Sequence, residues 1–344
     1  MGSEVTVTAE NGGSALLLID INILGIGSMH EYEFKDRSHG GQDTGAIHGG
    51  FGKLAELLED HRDKILLVLW DDRCHWRKEI LPCYKRHRWE TPEQQAFLKS
   101  YLVQAEVIRA LLVNLGLPQA SCPNFEADDI AGLICRHLAP SWRITLATTD
   151  TDWYQALCKN VVWESTRTRE VVTEADLENT AIVRDGPFVS TDHFIQAKAL
   201  AGDASDGIPG VKGVGLKTAA RIIKEYGTIE ALWAKHDAPE PLKGVVLQRT
   251  AGPEYRDVYY RNLKLIDWRL APPLERNFRL EFEHPDIAAF EKLCAKWGLS
   301  EISESWRGFS VPRETGLSAV IAIRMVLEAG SCGSVDRAGA GGGL

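Results

Sequence analysis

The chain has 344 residues, with 39 Lys and Arg against 48 Asp and Glu, a formal net charge of -9 and 44% hydrophobic residues. That length and apolar content allow a full core in one large domain or two joined ones, and exclude a wholly disordered polypeptide. Seven cysteines, odd in number, scattered and never spaced Cys-x-x-Cys, speak for reduced thiols and against a disulfide frame or a zinc site.

Residues 1–14 read as a loose polar tail, lacking the basic start and apolar run of a signal peptide. No stretch approaches the roughly 18 apolar residues of a membrane span, so the reading is a soluble, cytoplasmic protein. Ala15-Leu-Leu-Leu-Ile19 is a continuous apolar run ending in Asp20, the profile of a buried parallel strand. A helical pattern follows at 46–60, then a second such strand at Ile65–Trp70, ending at Asp71. Helical periodicity recurs at 93–115 and at Ala127–Leu138 before a weaker strand, Arg143–Thr149, that ends at Asp150. This alternation predicts an α/β fold with a parallel sheet over 15–190, and such sheets bind ligands at the carboxyl ends of their strands. Beyond about 190 the strand signal fades, and helices at 192–201, 216–226, 228–236 and 285–297 predict a helical subdomain over 191–300. Residues 301–344 form a C-terminal extension. Within it, Ser318–Leu327 is an apolar decamer that reads as a docking helix or an interaction peptide, and Gly330–Leu344 as disordered.

Nine carboxylates stand at five places where strands end or helices begin: Asp20, Asp71, Glu126 with Asp128 and Asp129, Asp150 with Asp152, and Asp203 with Asp206. Each has an ordinary reading as a turn residue or helix cap. Their conjunction does not, because carboxylates gathered in one cleft repel one another unless cations neutralise them. Acidic ligands without His or Cys pairs point to two hard cations, Mg²⁺ or Mn²⁺, rather than zinc. The nine equal the whole acidic excess, so the net charge does not exclude a nucleic-acid partner once cations mask them.

Two basic features flank this set. Gly210-Val-Lys212-Gly213-Val-Gly215-Leu-Lys217-Thr218 follows Gly202-Asp203-x-x-Asp206 and opens a helix, where bare N–H groups and lysines suit a DNA backbone phosphate. It is not a Walker loop, so ATP is not implied. Arg73–Trp89 carries six Lys and Arg against one acid, interleaved with aromatics, which is how single-stranded nucleic acid is gripped. Lying just after Asp71, this segment would bring Lys85 and Arg88 to a scissile phosphate.

Leu69-Trp-Asp71, Trp76-Arg77, Tyr84-Lys85-x-x-Arg88, Glu126-Ala-Asp-Asp129, Thr149-Asp150-x-Asp152 and Gly202-Asp-x-x-Asp-x-Ile-Pro-Gly-Val-x-Gly-Val-Gly-x-Lys-Thr-Ala219 occur in the order and spacing of the 5'→3' exonuclease and flap endonuclease family. The sequence resembles that family over about residues 15–300. The resemblance implies a PIN-like sheet core, a helical arch at about 73–100, and a helix–three-turn–helix that holds duplex DNA through K⁺. It places Asp20, Asp71, Glu126, Asp128 and Asp129 at a first metal and Asp203 and Asp206 at a second, with Asp150 and Asp152 between. Lys85 and Arg88 would be catalytic arch cations, Tyr84 the base-stacking aromatic that meets DNA, and Arg77 a DNA-binding basic position at the arch base. Gly213, Gly215, Lys217 and Thr218, with Lys212, would meet duplex phosphates. Ile21-Asn22 departs from the small residue that often follows Asp20 in relatives, and Asp72 competes with Asp71 as the ligand.

With no polymerase pattern after residue 300, the expectation is a free-standing, monomeric 5' nuclease with a role in DNA replication or repair, cutting DNA at 5' ends or flaps. Rival readings are RNase H-like removal of RNA from RNA/DNA hybrids by the same site, and a DNA-binding protein without catalysis.

Overall fold

The computed structural model describes residues 14–237, 244–274, 277–308 and 313–331. The expected tail at 1–14 (all but Ser14) and the Gly-rich end from 332 lie outside the described residues. In chain order, β1 (Ala15–Asp20) runs into α1 (Ile21–Ser28), a short hairpin of β2 (Ser38–His39) and β3 (Gln42–Asp43), then α2 (Gly45–Asp60) and β4 (Ile65–Leu69). Next come α3 (His75–Ile80), α4 (Pro92–Asn114), β5 (Gln119–Ser121), α5 (Ala127–Leu138), β6 (Arg143–Thr148), β7 (Val161–Ser165) and β8 (Val171–Val172). The second half holds α6 (Thr191–Ala201), a two-stranded ribbon of β9 (Gly202–Asp203) and β10 (Ile208–Pro209), α7 (Leu216–Tyr226), α8 (Ile229–His236), α9 (Val245–Ala251) and α10 (Pro253–Ile266). β11 (Arg279–Glu281), α11 (Ile287–Trp297), α12 (Ser300–Trp306) and α13 (Arg313–Ser331) complete the chain.

The sheet has the strand order β11-β5-β4-β1-β6-β7-β8. β1 lies at its centre, paired in parallel with β4 and β6. Its six residues are all buried, because helices cover both faces. Alternation along the strands sorts side chains between the two layers. Leu16, Leu18, Leu67 and Leu69 enter the core with Ile130 and Ile134 of α5, whereas Leu17, Ile19, Leu66 and Val68 enter the other with Phe51 of α2 and Leu111 of α4. The predicted strands and helices of the first half therefore form close to their expected bounds. α4 starts where its sequence provides a capping box: Thr91 Oγ1 accepts from the Gln94 N–H at 3.2 Å and Gln94 Oε1 from the Thr91 N–H at 3.0 Å, with Pro92 in the first turn.

The helical unit expected over 191–300 divides earlier than its sequence suggested. β11 returns to the main sheet and pairs antiparallel with β5, Leu280 opposite Ala120. α11 and α12 then bury Phe290, Cys294, Leu299, Ile302 and Trp306 in the core that holds α2 and α4. Helical periodicity names a buried face but not the layer that receives it. The same applies to α13, whose Ile323 and Leu327 are buried in the core with α5; the apolar decamer is a docking helix. Within the segment expected as an arch, Leu81 and Tyr84 pack with Ile208, Leu265 and Ile266 in a third apolar cluster. Cys74, Cys83, Cys122, Cys135, Cys158 and Cys294 are free, and among the described residues no helix is long and apolar enough to cross a membrane.

Candidate active site

Because β1, β4 and β6 are parallel, their carboxyl ends share one edge, and Asp20, Asp71 and Asp150 stand there. Asp20 caps α1, accepting from the Ile23 N–H at 3.2 Å, and takes a bond from the Thr148 hydroxyl at 3.3 Å. Asp71 accepts from the Ala127 N–H at 2.8 Å, which ties the end of β4 to the start of α5. Asp72 bonds only the adjacent Arg73 N–H, whereas Asp71 reaches α5 and repels Asp20, so Asp71 is the acid that joins the cluster. Asn22, the departure noted in the sequence, accepts from the Tyr101 hydroxyl at 2.7 Å inside the core.

The acids at the start of α5 divide into two kinds. Asp129 is 4% exposed and receives both arms of the Arg77 guanidinium at 2.7 and 2.8 Å. Arg77, expected at the DNA, is itself 2% exposed and also reaches Glu126 at 3.2 Å and the Leu265 carbonyl at 3.0 Å. It is an internal counter-ion to the acids. Asp128, by contrast, has no ion-pair partner within 4.0 Å among the described residues. Glu126 is held by three groups: Arg77, the Lys85 ammonium at 2.7 Å and the Tyr84 hydroxyl at 2.7 Å.

Tyr84 is 2% exposed and presents no face for stacking. Its hydroxyl lies 2.9 Å from Asp206 as well, so its single proton is shared between Glu126 and Asp206. Lys85 follows with φ of 52°, a left-handed turn that aims its side chain back at the acids, 3.6 Å from Asp206. Its N–H donates to the Asp206 carbonyl at 2.8 Å. Arg88 donates to Asp206 Oδ1 at 2.9 Å and, about half exposed, faces the cleft. The two ends of the motif, some 120 residues apart in sequence, thus meet through Tyr84, Lys85 and Arg88.

Lys198 completes the cluster and was absent from the sequence reading. Only 6% exposed, it bridges Asp152 and Asp203, the latter at 2.6 Å. The signal available was a lone charge within the apolar run Phe194–Ala201, on the helix face of Phe194. Asp203 caps the next turn through the Ser205 and Asp206 N–H groups at 2.7 and 3.2 Å. Gly202, with φ of 71°, permits this turn, since a Cβ there would collide with the backbone of Ile208 and Gly210.

The glycine loop lies apart from the acids. Val211 and Val214 are buried anchors, while Lys212, Gly213, Gly215 and Lys217 are exposed and Thr218 is half-buried. Gly213 holds φ of 83°, and Arg249 of α9 braces the loop by donating to the Lys212 carbonyl at 2.7 Å.

Electrostatics separate acids already neutralised from acids that are not. Burial opposes ionisation of Glu126 and Asp203, yet Lys85 with Arg77, and Lys198, hold them down at about 2. Burial raises Asp20 well above the usual carboxylate range, with Asp71 and Asp150 adding repulsion. Asp71 keeps exposed surface, but loss of hydration within the acid cluster and the charge of Glu126 raise it. Asp128 is raised by burial and Asp129, Asp150 to about 7 by burial and Asp152, and Asp152 by burial against the pull of Lys198. Among the described residues no group of three or more His, Cys, Asp or Glu side chains is placed to hold a metal ion as it stands. The under-neutralised acids instead line an open cleft with oxygen donors alone. That fits a hard divalent ion held by one or two carboxylates and otherwise by water.

Residues 15–181 match the family described as 5'-3' exonuclease, N-terminal resolvase-like domain, and 189–276 that described as 5'-3' exonuclease, C-terminal SAM fold. A 5'-3' exonuclease of Streptomyces coelicolor is 30% identical over 268 residues, covering 75% of this chain and 88% of that protein. The chain belongs to the 5'-3' exonuclease family. It is a nuclease, a hydrolase of the structure-specific 5' type. DNA polymerase I of Deinococcus radiodurans is 32% identical over 219 residues, 63% of this chain but only 21% of the polymerase. The flap endonuclease of bacteriophage T5, solved as a pseudo-enzyme-product complex with DNA and metal ions, shares the fold: TM-score 0.60, 23% identity, 84% of this chain and 99% of that one. The PIN-like core and helical subdomain expected from sequence are those of this family.

Proposed function

We propose that this 5' nuclease cuts DNA at 5' ends or flaps with two Mg²⁺ or Mn²⁺ ions seated among Asp20, Asp71, Glu126, Asp128, Asp150, Asp152, Asp203 and Asp206. One observation carries the proposal: the parallel strand ends and the start of α5 gather Asp20, Asp71, Asp128, Asp150 and Asp152 beside Lys85 and Arg88, where burial and mutual repulsion disfavour their charge. Bound ions would supply a nucleophilic hydroxide at neutral pH and charge for the leaving oxygen. One ion would sit between Asp20, Asp71, Glu126 and Asp128 and the other between Asp152, Asp203 and Asp206, with Asp150 in the middle; one or two carboxylates would touch each ion directly and the rest would hold it through water. Asp129, expected as a ligand, is committed to Arg77 and would act by fixing the start of α5.

Lys85 and Arg88 would turn from Glu126 and Asp206 to the phosphate as ions take over those carboxylates. Their N–H groups would then stabilise charge that develops on the phosphoryl oxygens. The duplex would rest on Lys212, Gly213, Gly215, Lys217 and Thr218, with K⁺ at the same loop. That a nuclease of the same fold, the T5 enzyme, was solved with DNA and metal ions supports DNA and metal as the partners of this site.

The test is cleavage of a 5'-labelled flap duplex and a blunt duplex in Mg²⁺, in Mn²⁺ and in EDTA. Cleavage near the flap junction that requires the metal is expected. Binding without cleavage in either metal would refute the proposal.

A further inference from the structure

The turn that carries Asp150 and Asp152 has a second side. Gln155, Ala156, Leu157 and Cys158 leave the acid cleft and line a separate cavity of about 470 Å³, closed by α5 and by Trp268 and Arg269 of the helical subdomain. None of the nine carboxylates lines it. Its size and largely apolar surface fall within the range of small-molecule sites.

Three features define what would fit. The floor is apolar: Leu157, Ile195, Trp268 and Cys135 are buried there. The lining carries three cations, Arg136, Lys159 and Arg269, against one carboxylate, Asp267. That carboxylate is taken by Arg269 at 2.8 Å, and Arg269 is further paired with Asp192 at 2.6 Å. Arg136 and Lys159 have no ion-pair partner among the described residues, and Arg136 makes only a long bond to the Trp268 carbonyl, 3.3 Å. Asn160 donates its amide to the Ala139 carbonyl at 2.8 Å, which leaves Oδ1 available to a donor. An apolar floor, two lining cations without carboxylate partners and one amide acceptor suit a flat apolar body that carries an amino group and an anionic group.

We infer that this cavity binds a nucleoside monophosphate, its base over Leu157 and Ile195 and its phosphate at Arg136 and Lys159. The choice of a nucleotide rests on the proposed reading that the acid cleft releases 5'-phosphate products. Nucleotide held here is separate from nucleotide held in the cleft, because the two sites share elements but no lining residues.

The experiment is calorimetric titration of the full chain with dAMP in EDTA, which keeps divalent ions out of the cleft. Deoxyadenosine and inorganic phosphate are parallel titrants. Binding of dAMP is expected, with each fragment at least about tenfold weaker, since floor and rim each supply part of the affinity. Lys159→Ala and Arg136→Gln should each weaken dAMP about tenfold or more, the worth of one charge-assisted hydrogen bond. Lys159 is exposed, so its variant should fold, and unchanged thermal unfolding and flap cleavage confirm that. Absence of binding in EDTA, binding that needs Mg²⁺, indifference to both substitutions, or phosphate alone binding as well as dAMP would each overturn the inference. Loss of flap cleavage by the native chain with intact dAMP binding would instead strike the proposed function and leave the cavity standing.

Discussion

Replacing Lys198 with Met tests whether its ammonium is the internal substitute for a divalent ion. The substitution keeps an unbranched side chain in α6 and removes one charge from between Asp152 and Asp203. Removing one partner of a buried ion pair costs about 3–5 kcal/mol, because the remaining charge is left uncompensated. Asp152, already raised by burial, can take up a proton, which favours the lower end, about 3 kcal/mol. At about 2.1 cal/mol/K per residue the unfolding entropy of 344 residues is about 0.7 kcal/mol/K, so Tm should fall by about 4 °C in EDTA. Mg²⁺ should reverse most of this. A ligand at a hundred times its Kd stabilises by about 2.7 kcal/mol, and the bare carboxylate pair of the variant should bind the ion better than the paired one. The assay is thermal unfolding of both proteins in EDTA and in a Mg²⁺ series. Equal Tm values in EDTA, or a deficit of the same size at every Mg²⁺ concentration, would refute the reasoning.

Without metal, stability should depend on pH through Asp150 and Asp203 in opposite senses. Asp150 is raised to about 7, so the folded state binds the extra proton; stability falls as pH rises from about 4 to 7, and Mg²⁺ should flatten that slope in urea titrations. Asp203 is lowered to about 2, so its contribution is present above its unfolded value and is lost as pH falls from about 4 through 2. Lys85→Ala should lower kcat about 10²–10³-fold with little change in duplex affinity, measured in single-turnover cleavage. Lys217→Ala should weaken duplex binding across sequences and lower the slope of log K against log salt by about 1, with chemistry unchanged. Arg77→Ala should destabilise by about 3–5 kcal/mol in denaturant titration; a stable variant that only loses DNA affinity would return Arg77 to the role its sequence suggested.

The central strands were legible because β1 and β4 are continuous apolar runs, which is what burial on both faces of a sheet demands. β5 and β11, three residues each, carry too few positions for any period. The convergence of Asp20, Asp71 and Asp150 was legible as well, since each stands at the end of a strand and parallel strands bring those ends to one edge.

What lay beyond the sequence was which charge meets which. Arg77, Tyr84, Lys85 and Arg88 form one basic and aromatic stretch, and nothing local distinguishes a buried counter-ion from a cleft-facing cation. The tertiary structure decides it. Arg77 and Tyr84 point into the core toward Asp129 and Glu126, whereas Lys85, turned by its left-handed backbone, and Arg88 face the cleft. Lys198 was missed although Asp203 lies five residues on, because the bridge that makes it part of the site runs to Asp152, 46 residues away. Periodicity records whether a side chain avoids water. Pairing between charges depends on distances that only the folded chain establishes, and in a partly buried site those distances determine which carboxylates remain free to bind an ion.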